Sequence, residues 1–192
     1  MAAVAENYKQ SRIHPHKLAL WIAIASIIMM FGGFTSAYVV RRAAGNWLEF
    51  KLPFIFFINT AVILLSSLSL HLSYIGFKQG KERQYKGLLL LTFFLGLVFV
   101  VLQYKGWEEL NAIGATFTVN PSSSFIYVIS GLHAAHVLGG MAALTAALTH
   151  AFVLPYKPTQ RRLNRFQLVA QYWHFVDILW VYLVLFFMLN GS

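Results

Sequence analysis

Two ionisable residues, His174 and Asp177, sit three positions apart in an apolar run that reaches Leu189, within Tyr172-Trp173-His174-Phe175-Val176-Asp177-Ile178-Leu179-Trp180. A carboxylate near the centre of a membrane helix costs roughly 2.5–3.5 kcal/mol on insertion scales, so Asp177 has to face protein, water or a lipid headgroup rather than acyl chains. Gln167, Gln171, His174 and Asp177 follow spacings of 4, 3 and 3 and form one continuous stripe on a 3.6-residue helix. Upstream, Ser130, His133, His136 and Gly140 repeat the pattern at 3, 3 and 4. The partners expected for Asp177 are His174, one turn before it, and His133 or His136 across a helix interface. Such groups can do two things in a bilayer: hydrogen-bond across an interface and hold a bundle, or pass protons.

The elements that carry these stripes are delimited by charge. Lys17 and Arg41 bracket 23 uncharged residues, Lys51 and Lys78 bracket 26, and Lys86 and Lys105 bracket 18. A bilayer core needs about 20 apolar residues. A polar stretch from Asn111 to Ser124 follows, and a serine before the next apolar run reads as a helix N-cap. The sequence thus predicts a single all-α integral membrane domain over 1–192. Its five transmembrane helices span about 18–40, 54–77, 87–104, 125–154 and 166–189. The first is too long, and too far from the N-terminus, for a signal peptide. Lys and Arg divide unequally between the loops. Eleven lie with the N-terminus and the second and fourth loops (Lys9, Arg12 and Lys17 among them), against Arg41, Arg42, Lys51 and Lys105 on the other side. That bias predicts a cytoplasmic N-terminus and a periplasmic C-terminus.

Composition excludes much. Of 192 residues, 58% are hydrophobic and 11% charged, against about 25% charge in a soluble domain. The net charge of +9 resides in short loops beside the spans, so it reads as membrane topology and not as a nucleic-acid surface. There is no cysteine, hence no disulfide, thiolate metal site or cysteine nucleophile. No Walker-type loop, G-x-S-x-G, H-E-x-x-H or catalytic carboxylate pair is present. His133 and His136 could reach one ion from a helix face, but a zinc site wants four ligands. A dihaem protein wants paired histidines at two depths, and here His133 and His136 share one level while His174 stands alone. Asn59, Ser66 and Ser73, seven apart, and Gly32 with Ser36, four apart, read as interface residues that let helices meet closely. His71 and Lys78, also seven apart, and Arg41 and Arg42 at a helix end are the candidate contacts for lipid phosphate.

Gly131-Leu132-His133-Ala134-Ala135-His136-Val137-Leu138-Gly139 resembles the G-[LF]-H-x-x-H-V-x-x-G signature of subunit III of haem–copper terminal oxidases. The segment Tyr172–Trp180 resembles that family's Y-W-H-F-V-D-[IV]-[VL]-W. Leu52-Pro53, Asn59-Thr60 and Ser66-Ser67 are similar to its second span in the short form. The likeness runs from about His16 to Ser192. It departs from the pattern in two places. Ile27 follows Ser26 where the family commonly has a glutamate, and Gln103-Tyr104-Lys105-Gly106-Trp107-Glu108 displaces an acid of the third span.

The resemblance implies the five-helix bacterial form of a multi-pass inner-membrane subunit that has no catalytic residue, metal ligand or cofactor of its own. Haem and copper belong to partner subunits of the proton-translocating oxidase. The main partner implied is subunit I, with subunit II and others, together with structural phospholipid. The implied role is to stabilise subunit I and support proton uptake during aerobic electron transport. Beside it stand two alternatives: a proton relay, or a haem-binding membrane protein, built on His133, His136, His174 and Asp177. On the accessory reading the same residues, with Gln171, form a buried polar network.

Overall fold

The computed structural model describes residues 15–157 and 159–191. They form helices α1 (Pro15–Ala43), α2 (Ile55–Lys78), α3 (Glu82–Ala112), α4 (Pro121–Val153) and α5 (Gln160–Asn190). All five are long and apolar enough to cross a membrane. Lys9 and Arg12, which weigh in the charge bias, lie outside the described residues. The helices outrun the uncharged stretches because long cationic side chains at their ends can reach towards a headgroup region while the backbone ladder continues. Thus α3 starts at Glu82, whose carboxylate pairs with Lys86 one turn on (2.6 Å), and it carries on past Lys105.

The N-cap of α4 is Asn120 and not a serine. Its Oδ1 accepts from the Ser122 N–H (3.0 Å), and Pro121, which has no N–H to leave orphaned, takes the first helical position. The serines that follow donate instead, Ser122 to the Leu48 carbonyl (2.8 Å) and Ser123 to the Thr116 carbonyl (2.7 Å). Asn120 Nδ2 also donates to the Asn46 carbonyl (3.1 Å), so one residue ties the α1–α2 loop to the start of α4.

Packing follows a simple plan. α2 touches α3, α3 touches α4, α4 touches α5, and α5 returns to α2, closing a four-helix ring; α1 leans on the outside against α4 and α5. The tightest pair is the α2–α3 hairpin, turned at Gly80, whose φ of +80° lies in the left-handed region that glycine adopts without strain. Its seam is polar. Ser66, Ser69 and Ser73 donate to the carbonyls of Thr92 (3.3 Å), Leu88 (2.9 Å) and Tyr85 (2.9 Å), and Asn59 Nδ2 donates to Gln103 Oε1 (3.2 Å). These hydroxyls do what small polar residues do in hydrocarbon, where interhelical hydrogen bonds and close van der Waals contact replace the hydrophobic drive.

Close approach happens at other glycines than the sequence suggested. Gly32 and Gly33 of α1 face open space, and a Cβ on either would meet nothing within 4 Å. Cramped ones include Gly106 of α3, against Phe56, and the pair Gly96 on α3 and Gly140 on α4, where a Cβ would come within 3.0 and 2.9 Å of the Trp173 ring. This indole lies flat in a slot that only glycine leaves open on both walls.

Gly140→Ala should therefore cost about 1–3 kcal/mol through overpacking, whereas Gly32→Ala should be neutral or slightly stabilising. Heating the two variants in detergent while following tryptophan fluorescence separates them. Equal midpoints would contradict the slot.

Candidate functional site

Asp177 is 1% exposed, on the side of α5 that faces α2. The Ser67 hydroxyl of α2 neighbours its carboxyl. The same Ser67 Oγ lies 2.6 Å from His174 Nδ1. One hydroxyl of α2 thus lies beside both His174 and Asp177, which are not bonded to each other directly. Asp177 Oδ2 has no partner among the described residues, and no ion pair there involves Asp177. His174 borders a groove of about 140 Å³ between α2 and α5, together with His71, Tyr74, Gln167 and Gln171. The His71 and His174 ring centres are 6.0 Å apart.

His133 and His136 do not join this pair. His133 is fully buried in the middle of the ring, its imidazole stacked on Trp180 (4.9 Å, 28°) with Phe99 edge-on (5.8 Å). Neither of its nitrogens has a partner among the described residues. Trp180 is the hub of this aromatic box. It meets Phe56 of α2, Phe99 of α3 and His133 of α4, and its indole N–H donates to Thr60 Oγ1 (3.1 Å). His136, one turn along α4, turns the other way. Its Nδ1 bonds the Leu132 carbonyl (2.7 Å) and its ring meets Phe31 of α1 edge-on (5.8 Å). The two histidines point to different neighbours because residues three apart diverge by about 60° on a helix.

Of the other candidates, Gln171 buries its Oε1 with no partner among the described residues and borders both the α2–α5 groove and a second cavity of about 380 Å³. His71 is exposed at the groove rim and Lys78 is exposed at the end of α2. Arg41 and Arg42 lie at the opposite end, in the last turn of α1. There Arg41 donates to the Gly45 carbonyl (2.9 Å) and Arg42 pairs loosely with Glu49 (3.7 Å). Among the described residues no group of three His, Asp or Glu is placed to hold one metal ion.

The residue the sequence did not single out is Ser67. Beside Ser66 in Ser66-Ser67 it looks redundant, yet adjacent positions differ by about 100° on a helix. Ser66 faces α3 and also accepts from the Trp173 indole (3.1 Å), while Ser67 faces α5.

With that geometry in hand, likeness to known proteins is informative. The model of the cytochrome c oxidase subunit III family matches residues 47–192. A probable cytochrome c oxidase subunit 3 from Nocardia farcinica is 30% identical over 170 residues, covering 83% of this chain and 80% of the relative. A cytochrome bo(3) ubiquinol oxidase subunit 3 from Buchnera aphidicola is 30% identical over 177 residues, covering 90% and 92%. A heme-copper oxidase subunit I+III from Aeropyrum pernix is 30% identical over 172 residues, covering 84% of this chain but 21% of that longer protein.

Ser66→Ala should strand a buried indole N–H and cost about 1–3 kcal/mol of stability. Ser66→Thr, which keeps the hydroxyl, should recover part of that loss. Thermal melts of both variants in the same detergent test this, and a Ser66→Ala melt like that of the parent would show the bond to be idle.

Proposed function

We propose, from the premise that the chain belongs to the cytochrome c oxidase subunit III family, that it is a non-catalytic, multi-pass membrane subunit of a haem–copper respiratory oxidase in a bacterial inner membrane. The observation that carries this reading is the extent of the family match, which begins at residue 47 and takes in the whole ring α2–α5. Relatives at equal identity are named for a cytochrome c oxidase and for a ubiquinol oxidase, so the role is one that either kind of oxidase uses. In the Aeropyrum relative the likeness lies within a protein named subunit I+III, which favours subunit I as the main partner here.

On this reading the ring is a scaffold. Its polar groups face inward, and its outside is oily: Leu64, Leu65 and Leu68 on α2, and Leu90, Leu91 and Phe94 on α3, are all exposed. Such faces suit a neighbouring membrane subunit or acyl chains. Cationic loops at both ends suit phospholipid headgroups, with His71 and Lys78 as contacts at one end. By holding subunit I and its lipid, the chain supports proton uptake during oxygen reduction, while haem and copper reside in the partners. The Lys and Arg bias sets the N-terminus in the cytoplasm and the C-terminus in the periplasm.

Affinity purification of the tagged chain in mild detergent should bring down a larger subunit bearing haem and copper. Recovery of a self-sufficient, cofactor-free monomer would sink the proposal. Because the chain has no cysteine, orientation can be read by labelling: Gln79→Cys should react from the cytoplasmic side and Ala44→Cys from the periplasmic side, and the reverse would invert the topology.

A further inference from the structure

A carboxyl group that is 1% exposed and that has, among the described residues, no ion pair and one oxygen unpartnered is out of place as an anion in a membrane helix. The available neutralising charge is a proton. What distinguishes Asp177 from an inert buried acid is the hydroxyl beside it. Ser67 has one hydroxyl proton, neighbours the Asp177 carboxyl and lies 2.6 Å from His174 Nδ1. A hydroxyl in that position donates one way and accepts the other, and reversing it costs no rearrangement of the helices.

We propose that Asp177, Ser67 and His174 form a proton-exchange triad, in which Ser67 links a buried proton store on Asp177 to the α2–α5 groove bordered by His71 and Gln171. At rest the acid O–H of Asp177 donates to Ser67 Oγ, and the Ser67 O–H donates to His174 Nδ1. In the transfer, the Asp177 O–H bond breaks as a new Ser67 O–H forms, while the original Ser67 proton moves to His174 Nδ1. Asp177 is left a carboxylate and His174 an imidazolium, which then releases its Nε2 proton towards the imidazole of His71, exposed at the groove rim, and from there to water. The hydroxyl is regenerated, no electrons move, and the reverse sequence refills the store.

The groups facing the triad come from three helices. His71 and Tyr74 of α2 border the groove, and the His71 ring stands 6.0 Å from that of His174. Gln167 and Gln171 of α5 border both this groove and the cavity beyond it, where His16 and Lys17 of α1 stand with Arg161 and Arg165. On α4, His133 and His136 face Trp180 and Phe31, Tyr127 bonds the Trp107 carbonyl and His150 borders another cavity, so none of them takes part.

The inference deepens the accessory-subunit reading in that it takes the ring to lie in a membrane, but it does not need the store to feed the oxidase. Copurified haem and copper judge that reading; the carboxyl spectrum judges this one. The experiment is infrared difference spectroscopy of the purified complex in lipid nanodiscs, with Asp177→Asn used to assign the protonated carboxyl band. Transfer to D2O should shift that band promptly in the parent and in Ser67→Thr, and about tenfold or more slowly in Ser67→Ala, which lacks the relaying hydroxyl. If Ser67→Ala does not assemble, His174→Gln, which keeps a polar group but cannot take up a proton, should slow the shift in the same way. No band lost in Asp177→Asn, or unchanged exchange in the assembled Ser67→Ala or His174→Gln complex, overturns the triad.

Discussion

Hydrocarbon supplies no hydrogen-bond partner, and nearly every specific contact in this protein answers to that fact. A buried hydroxyl, indole or amide left unmatched costs several kcal/mol in a lipid-like medium. The chain meets the demand with pairs that cross from helix to helix. Serines of α2 bond carbonyls of α3, and the indoles of α5 reach back to Ser66 and Thr60 on α2. Tyr172 bonds the His136 carbonyl of α4 (3.1 Å), and Tyr182 bonds Thr35 of α1 (3.0 Å). Each bond settles a local need and fixes the rotation of two helices at once, which is how a bundle without a hydrophobic drive between its members acquires one register.

The same rule sorts the ionisable residues. His133 is accommodated by aromatic faces, His136 by a carbonyl of its own helix, and His174 with Asp177 by a shared hydroxyl. These are three separate solutions, at three interfaces, for residues that a helical projection places on two neat stripes. Trp180 binds them into one core, since it stacks on His133 while its own helix presents Asp177 to α2.

Much of this was legible beforehand. Charges bracket the apolar runs because a charge inside a span is expensive, so the number and order of the helices follow from where Lys and Arg fall. The polar stripe of α5 marks the edge of its inward face and not the face itself: Gln167 is exposed and Gln171 and His174 are half-buried, while Phe166, Ala170, Trp173, Asp177 and Trp180 point inward. What periodicity does not carry is the identity of the opposing surface. It picks out Asn59, Ser66 and Ser73 as a face, and that face meets α3; it says nothing of Ser67, whose value depends on α5 passing one residue further round. Glycine spacing on α1 suggests a tight seam, yet tight seams lie at Gly96, Gly106 and Gly140, because the bulk that needs room belongs to Trp173 and Phe56 on other helices. Asn120 overtook the serines as a cap because Pro121 behind it is already shaped for the first turn.

The position of α1 outside the ring bears on biosynthesis. Its contacts are with α4 and α5, the two helices translated last, and neither α2 nor α3 offers it a surface. Of the five helices α1 is made first, yet it has no surface to dock on until α4 arrives. Its seat is complete only when Tyr182 and Asn190 of α5 meet Thr35 and Tyr38, whereas the α2–α3 hairpin closes on its own three-residue turn. Nascent chains halted before α4 should hold a finished hairpin and an unattached α1, a state in which insertion factors, rather than the protein itself, provide the company.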